Sequence, residues 1–326
     1  MPKKNVLVTG GSGRLGNYVC THLKKQGYNV ASFDVVPTPP ESDNAKEGIP
    51  FIQGDLLNLG DCLRAITFAQ PDIIVHLAAI TGPTELHPPY NKDGTVNPGP
   101  PFRYMQRQAE DNCMKINTMG TFYVMDAARR LGVKDMIISS TYYATGIGGR
   151  LSGTTYAPQY LPVDEDHPCD PEASYALSKY LNEETAKAFC RAYGMNIIAL
   201  RYMGVFYENS EFARRVYKFG VNVEPADDTN KGKMVDNTYQ FVDARDIANI
   251  TDLCIQKIGG LPNPFEVFFV STDTTYTEPS SEVVAKRWPQ FAELGKNMKG
   301  TEGIFSIAKA EKLLGYKPAY SWRDAK

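Results

Sequence analysis

The sequence predicts an α/β fold, a doubly wound parallel sheet followed by a smaller C-terminal lobe. Two observations carry this. Short β-branched runs alternate with longer helical patterns through the first two hundred residues, and beyond Arg201 that alternation weakens. A chain of 326 residues can bury one large core or two smaller ones. Its 42% apolar and 22% charged residues are an ordinary globular mixture. A formal net charge of −2, without a Lys/Arg run, gives no footing for a nucleic-acid partner.

Taken in order, strands are expected at 5–9, 29–34, 50–53, 72–77, 134–139 and 195–201. Helices fit between them at 14–25, 60–69, 107–131 and 174–193, the last stopped by Gly194. The second lobe opens with a polar stretch, EPADDTNKGKMVDN. An extended TYQFV, a helix from about 243 to 257 and a strand FEVFFV follow it. Residues 81–102, rich in Pro and Gly, read as one long loop.

The turn after the first strand, VLVTGGSGRLG, spaces Gly10, Gly13 and Gly16 three apart and opens the first helix. Glycines there permit a tight turn, let backbone approach a pyrophosphate and let the helix pack closely on the sheet, while the helix N-terminus supplies partial positive charge. Asp34 closes the second strand, where a carboxylate accepts from both hydroxyls of an adenosine ribose and repels a 2′-phosphate, which favours NAD over NADP. Arg14 in the turn is a counter-signal, because it could meet such a phosphate. Asp55, after the third strand, is a candidate adenine contact.

Six scattered cysteines, with no C-x-x-C, point to reduced thiols in a cytoplasmic protein. The short apolar run after Lys3 and Lys4 does not make a signal-peptide core, and no stretch approaches a membrane span. The histidines 22, 76, 87 and 167 show no metal-ligand spacing, so no metal is expected.

Tyr175 and Lys179, in SYALSK, stand four apart, one above the other on a helix. That spacing aims a phenol and an ammonium at one point. Alone it fits either an acid/base pair or one face of a surface helix.

Further motifs stand in order: TGGSGRLG at 9–16, Asp34, GDL at 54–56, HLAA at 76–79, NTMGT at 117–121, SST at 139–141, YALSK at 175–179 and ALRYMGVF at 199–206. Together they resemble the extended short-chain dehydrogenase/reductase family, the NAD-dependent epimerase/dehydratases, from about residue 4 to 272. The tail at 307–324 resembles that family's closing helix and loop.

The resemblance implies a Rossmann sheet and a smaller substrate-binding lobe. NAD would be held by 1–202 with about 240–273, and substrate by about 203–239 with 274–326. It implies that Tyr175 is the general acid/base, that Lys179 grips the nicotinamide ribose and lowers the phenol's pKa, and that Thr141 bonds the reacting oxygen. Gly10, Gly13, Arg14, Leu15, Gly16, Asp34, Asp55, Leu56, Leu77, Ala78, Ala79, Asn117, Ser139 and Tyr202 then line the cofactor with Tyr175 and Lys179. Thr81, Arg103, Thr141, Tyr142 and Gly204 face the substrate, and His76 is a strand residue and not a base. A free phenol titrates near 10, so proton transfer at neutral pH needs about 4 kcal/mol of preference for the phenolate, which a neighbouring cation favours.

Departures from the family pattern narrow the reaction. Tyr142 and Tyr143 follow Thr141 where the dehydratases carry an acidic pair, which disfavours dehydration. Gly204 stands where sugar-nucleotide enzymes commonly have an asparagine, and Asn237, Thr238 and Tyr239 where they often have Arg-Asp-Tyr. A substrate other than a standard UDP- or dTDP-sugar is therefore expected, unless Arg214, Arg215 or Lys233 substitutes as the diphosphate's donor. The 81–102 loop is expected to be a lid or pocket wall, with Arg103, Tyr104 and Arg107 near the substrate, or else a surface loop. The first expectation is an NAD-dependent oxidoreductase of a secondary alcohol on a sugar or sugar-like substrate. The alternative is a sugar or nucleotide-sugar epimerase that keeps its NAD, and a silent dinucleotide-binding protein is a third. A homodimer through the two long helices is expected by family habit.

Overall fold

Apolar runs of three to seven residues form the centre of a computed structural model that describes residues 4–82, 111–148, 150–152, 157–222, 240–272 and 274–324. β1 (Asn5–Thr9) buries Val6, Leu7 and Val8 and pairs parallel with both β2 (Asn29–Asp34) and β4 (Ile73–His76). β3 (Phe51–Gln53) pairs parallel with β2, and β5 (Asp135–Thr141) with β4. β6 (Asn196–Tyr202) follows. β7 (Gly204–Phe206) and β8 (Phe241–Asp243) form a separate parallel pair, and β9 (Phe265–Val270) returns to the main sheet. The seven-stranded order is β3-β2-β1-β4-β5-β6-β9, the doubly wound parallel sheet expected. Strands covered on both faces must be apolar throughout, hence the unbroken runs Val6–Val8 and Ile73–Val75. Strand order reverses between β1 and β4, and the crevice outside the carboxyl ends of such a pair is where open α/β sheets bind ligands.

Local capping sets the helix ends. α1 (Arg14–Lys25) buries Val19, Cys20 and Leu23, and the short α2 (Asp43–Lys46) is capped by Ser42. Asn58 caps α3 (Leu59–Ala69) by accepting from Gly60 and Asp61. α4 (Gly120–Arg130) and α5 (Ser174–Tyr193) follow, and Gly194 ends α5 at φ +64°, where the left-handed conformation favours glycine. Over its described part the expected helix is continuous from 112 to 130, with one change of geometry inside it. Residues 107–110 lie outside the described residues, and Cys113–Met119 is a π-helical turn leading into α4. The wider turn has a local compensation: Asn117 is turned inward, accepting from Ile80 N–H and donating to Ile80 O.

Contacts divide the chain into two units: 1–140 with 172–197 and 262–265, and 141–171 with 198–261 and 266–326. The second has its own core, in which Trp288, Phe269, Phe305 and Tyr276 are at most 2% exposed. Its described helices are α6 (Glu211–Phe219), α7 (Ala244–Lys257), α8 (Ser280–Arg287), α9 (Ala292–Gly295) and α10 (Ala308–Leu314). α7 starts one residue later than expected because Asp243 is its N-cap, accepting from Arg245 N–H. One turn in, buried Asp246 accepts from Ala319 and Tyr320 N–H and so ties the C-terminal segment to α7. Burial holds its carboxyl above the usual range.

Asp246→Ala leaves two backbone donors without an acceptor and is expected to cost about 2–3 kcal/mol. Hydrogen exchange should then speed at Ala319 and Tyr320; unchanged protection there would show that the tie does not hold the segment.

Candidate active site

The glycine turn is built from backbone. Gly10 has φ +73°, and a Cβ on it would lie 2.6 Å from Ala78 N. A Cβ on Gly16 would meet Gly10 O at 2.1 Å, so α1 can approach the turn only with glycine there. Gly13 is the helix N-cap and brings no side-chain acceptor, and the first turn holds no acidic residue. The positive end of α1 is thereby left for an external anion. Arg14 is exposed at the first helical position and Leu15 is half-buried behind it. Asp34 accepts from Ser12 N–H and Val36 N–H, both at 3.1 Å, which ties the turn to the end of β2 and fixes the carboxylate. A cradle closed to any Cβ, an uncapped helix start and a fixed carboxylate fit a dinucleotide. Asp55 is exposed at the end of β3, accepting from Leu57 N–H, while Leu56 packs its side chain against Gly120.

On α5, Tyr175 is half-buried and Lys179 is 2% exposed. Lys179 Nζ donates to Ser139 O at 3.0 Å and to Ser139 Oγ at 2.9 Å, near the end of β5. Burial lowers the lysine from 10.5 to about 8. Such an ammonium is poised to give up or recover its proton near neutral pH.

One residue on, Ser140 Oγ donates to Glu183 Oε1 at 2.6 Å, and Glu183 is fully buried. Sequence reasoning missed Glu183, although it lies four residues after Lys179 and eight after Tyr175, on the same helical face.

Leu77, Ala78, Ala79 and Ile80 are half-buried after β4, and Thr81 is exposed. Asn117 is fully buried, and its amide bonds Ile80 and Ser178 Oγ, so it braces the segment after β4. His76 is buried and held down to about 3 by desolvation and then by the Lys179 cation, so it is neutral, consistent with a strand residue and not a base.

The second unit carries the other expected residues. Thr141, the last residue of β5, accepts from Tyr143 N–H at 3.3 Å, so its hydroxyl proton can be directed to another acceptor. Tyr142 does not open to a ligand: it is 3% exposed, stacked on Tyr143 and edge-on to Phe305. An apolar ring next to a core outweighs the placement that adjacency to Thr141 suggested. Tyr202 is buried, and Gly204 starts β7 half-buried. Arg214 donates to the Glu208 and Asn209 carbonyls. Arg103, Tyr104, Arg107, Lys233, Asn237, Thr238 and Tyr239 lie outside the described residues. Among the described residues, no group of three His, Cys, Asp or Glu side chains is placed to hold a metal, and no helix is long and apolar enough to cross a membrane.

The Lys179 geometry has a measurable sign. Between pH 8 and 10.5 the unfolded chain binds the proton that the folded lysine has lost, so stability rises with pH across that window. Lys179→Met removes this contribution. Wild-type stability minus variant stability, from urea unfolding, is expected to grow by about 3 kcal/mol over the window. A constant difference would mean that the lysine is not desolvated.

The sequence profile of the NAD dependent epimerase/dehydratase family matches residues 6–88 and 104–280. A Methanocaldococcus jannaschii protein named for UDP-glucose 4-epimerase activity is 29% identical over 209 residues, which span 63% of this chain and 57% of that relative's length. The UDP-glucose 4-epimerase of Rhizobium meliloti is 24% identical over 343 residues, covering 98% of this chain and 94% of that one. Among solved structures, the Thermotoga maritima UDP-glucose 4-epimerase with UDP-glucose aligns at TM-score 0.65 and 21% identity, over 98% of this chain and 96% of that one. The Brucella ovis UDP-glucose 4-epimerase in complex with NAD aligns at 0.66 and 19%, over 99% and 95%. These structures share the fold, and the profile spans well over half of the sequence: the chain belongs to the NAD dependent epimerase/dehydratase family.

Proposed function

We propose that the chain is an NAD-dependent epimerase acting at a secondary alcohol of a sugar. The observation that carries this is the α5 face, where half-buried Tyr175 stands one turn before a buried lysine whose ammonium is held by Ser139. Of the readings that the sequence leaves open, relatives named as UDP-glucose 4-epimerases along nearly their whole length favour epimerisation over a dehydrogenase that releases its cofactor. NAD, when bound, supplies the hydride acceptor and donor.

Tyr175 takes the hydroxyl proton of the substrate and returns it when the alcohol re-forms. Lys179 has two of its three N–H groups on Ser139, which leaves one for the ribose, and its charge favours the phenolate. Thr141 gives its hydroxyl proton to the reacting oxygen. Gly10, Gly13 and Gly16 take the pyrophosphate on backbone, Asp34 the adenosine ribose, and the 77–81 segment lines the cofactor with small side chains. The division of labour is NAD on 1–202 with about 240–273 and substrate on about 203–239 with 274–326. Six free thiols, five of them buried, suit a cytoplasmic setting.

Association as a homodimer through α4 and α5 completes the proposal. Met119 is 42%, Phe122 39% and Tyr193 48% exposed, and Phe122, Phe189 and Tyr193 form a run of edge-to-face rings. Phe122→Glu is expected to give a monomer by light scattering. A wild-type monomer would remove the dimer.

Purified without added nucleotide, the protein is expected to carry near-stoichiometric NAD and to interconvert UDP-glucose and UDP-galactose, the first pair to try because relatives are named for it. Tyr175→Phe should keep the NAD and lose roughly 10²–10⁴-fold in turnover. Stoichiometric NADH release on adding substrate would instead make it a dehydrogenase. Because Gly204 offers a diphosphate no side-chain donor, a high KM for UDP-sugars alongside intact NAD binding would point to a sugar on another carrier.

A further inference from the structure

Below the glycine turn, a set of buried polar side chains joins β1 and β4 to the π-turn and α5. Thr9, the residue before Gly10, places Oγ1 2.6 Å from His76 Nδ1, and His76 Nε2 lies 2.8 Å from Thr121 Oγ1. Thr121 Oγ1 also contacts Asn117 O, and Asn182 Nδ2 reaches both Thr121 Oγ1 and Asn117 O at 3.1 Å. Asn117 in turn donates to Ser178 Oγ, which donates to Tyr175 O. Thr9, His76, Asn117, Thr121, Ser178 and Asn182 are each at most 2% exposed, so their polar atoms depend on partners inside the protein, and among the described residues Asn182 Oδ1 alone of this set has none.

Counting protons fixes the direction of every bond. A carbonyl has no proton, so the short contact between Thr121 Oγ1 and Asn117 O uses the threonine's only one. Thr121 Oγ1 is then an acceptor towards both other neighbours, the Asn182 amide and His76 Nε2, and His76 must carry its proton on Nε2. In a neutral ring Nδ1 is then an acceptor, supplied by the Thr9 hydroxyl, whose own oxygen accepts from Ala78 N–H at 3.4 Å. A ring that accepts at one end and donates at the other is the piece this gap requires. An imidazolium would leave the Thr121 end unchanged but turn an Nδ1–H on Thr9 Oγ1, taking away the acceptor of the Thr9 hydroxyl proton.

We propose that His76 is a positioning residue, a neutral Nε2–H imidazole that bridges Thr9 to Thr121 and so holds the glycine turn in register with the helix carrying Tyr175 and Lys179. The proposal rests on the reading of that pair as the reacting groups. His76 acts through its neighbours and touches neither substrate nor cofactor.

Protein labelled with ¹⁵N-histidine, with the His76 signal assigned by its loss in His76→Gln, is expected to show the neutral Nε2–H pattern unchanged from pH 8 to pH 5. An Nδ1–H tautomer, or titration near the ordinary histidine value, overturns the proposal whatever the enzyme does. Three variants then separate positioning from packing. His76→Leu, which can neither accept nor donate, is expected to weaken NAD retention and lower kcat at least tenfold each, with KM little changed. His76→Gln, which can do both, should recover most of the loss. Val75→Ala, a cavity in the same strand, should lower Tm while keeping NAD and kcat. Equal losses in His76→Leu and Val75→Ala at matched Tm would make His76 a packing residue. If His76→Leu does not fold, the tautomer and His76→Gln decide. A wild type with neither NAD nor turnover would count against the proposed function and leave the tautomer result standing.

Discussion

The ammonium of Lys179, taken almost wholly out of water, is the constraint on which the packing of α5 against the end of β5 is built. An isolated buried cation costs several kcal/mol, and it persists only where acceptors are fixed in advance. Ser139 supplies two of them, a carbonyl and a hydroxyl. Ser139 is itself held because the next residue, Ser140, is bonded to Glu183 on the same helix as the lysine. One face of α5 therefore carries the phenol, the cation and the carboxylate that anchors the strand end beneath them. The same desolvation that costs stability lowers the lysine's pKa to about 8.

The glycine turn is made by opposite means. There the chain removes side chains: glycines at 10 and 16 stand where a Cβ would strike backbone, and α1 begins without a cap. Asp34 is held in place by two backbone donors. The polar chain through His76 lies beneath both arrangements. Its members come from β1, β4, the π-turn, α4 and α5, so it links a site made of backbone to a site made of side chains.

In the second unit, two aspartates at the start of α7 do the organising. Asp243 caps the helix and takes Arg245 and the Tyr217 hydroxyl, and Asp246 collects the C-terminal backbone. Arg245, over the face of Tyr320 at 3.8 Å and bonded to Glu208, is a member of this packing. Both aspartates are taken up by these structural bonds.

What the sequence determined by itself was everything local: the β-branched runs that become β1, β2 and β9, the helix that ends at Gly194, the glycine turn, and the four-residue spacing of Tyr175 and Lys179. Periodicity and turn chemistry act over a few residues, so they can be read along the chain. Only the tertiary structure decided the partners of buried polar groups. Thr9 meets His76 across 67 residues, Asn117 meets Ser178 across 61 and Ser140 meets Glu183 across 43. Those pairings made Asn117 a buried brace, brought out Glu183, and accompany the π-helical geometry at Cys113–Met119 within the expected helix. Tyr142 went to a core for the same reason, because burying a ring depends on neighbours brought from elsewhere in the chain, Phe305 among them. Long-range desolvation leaves no pattern in the residues on either side, whereas a turn or a helix face does.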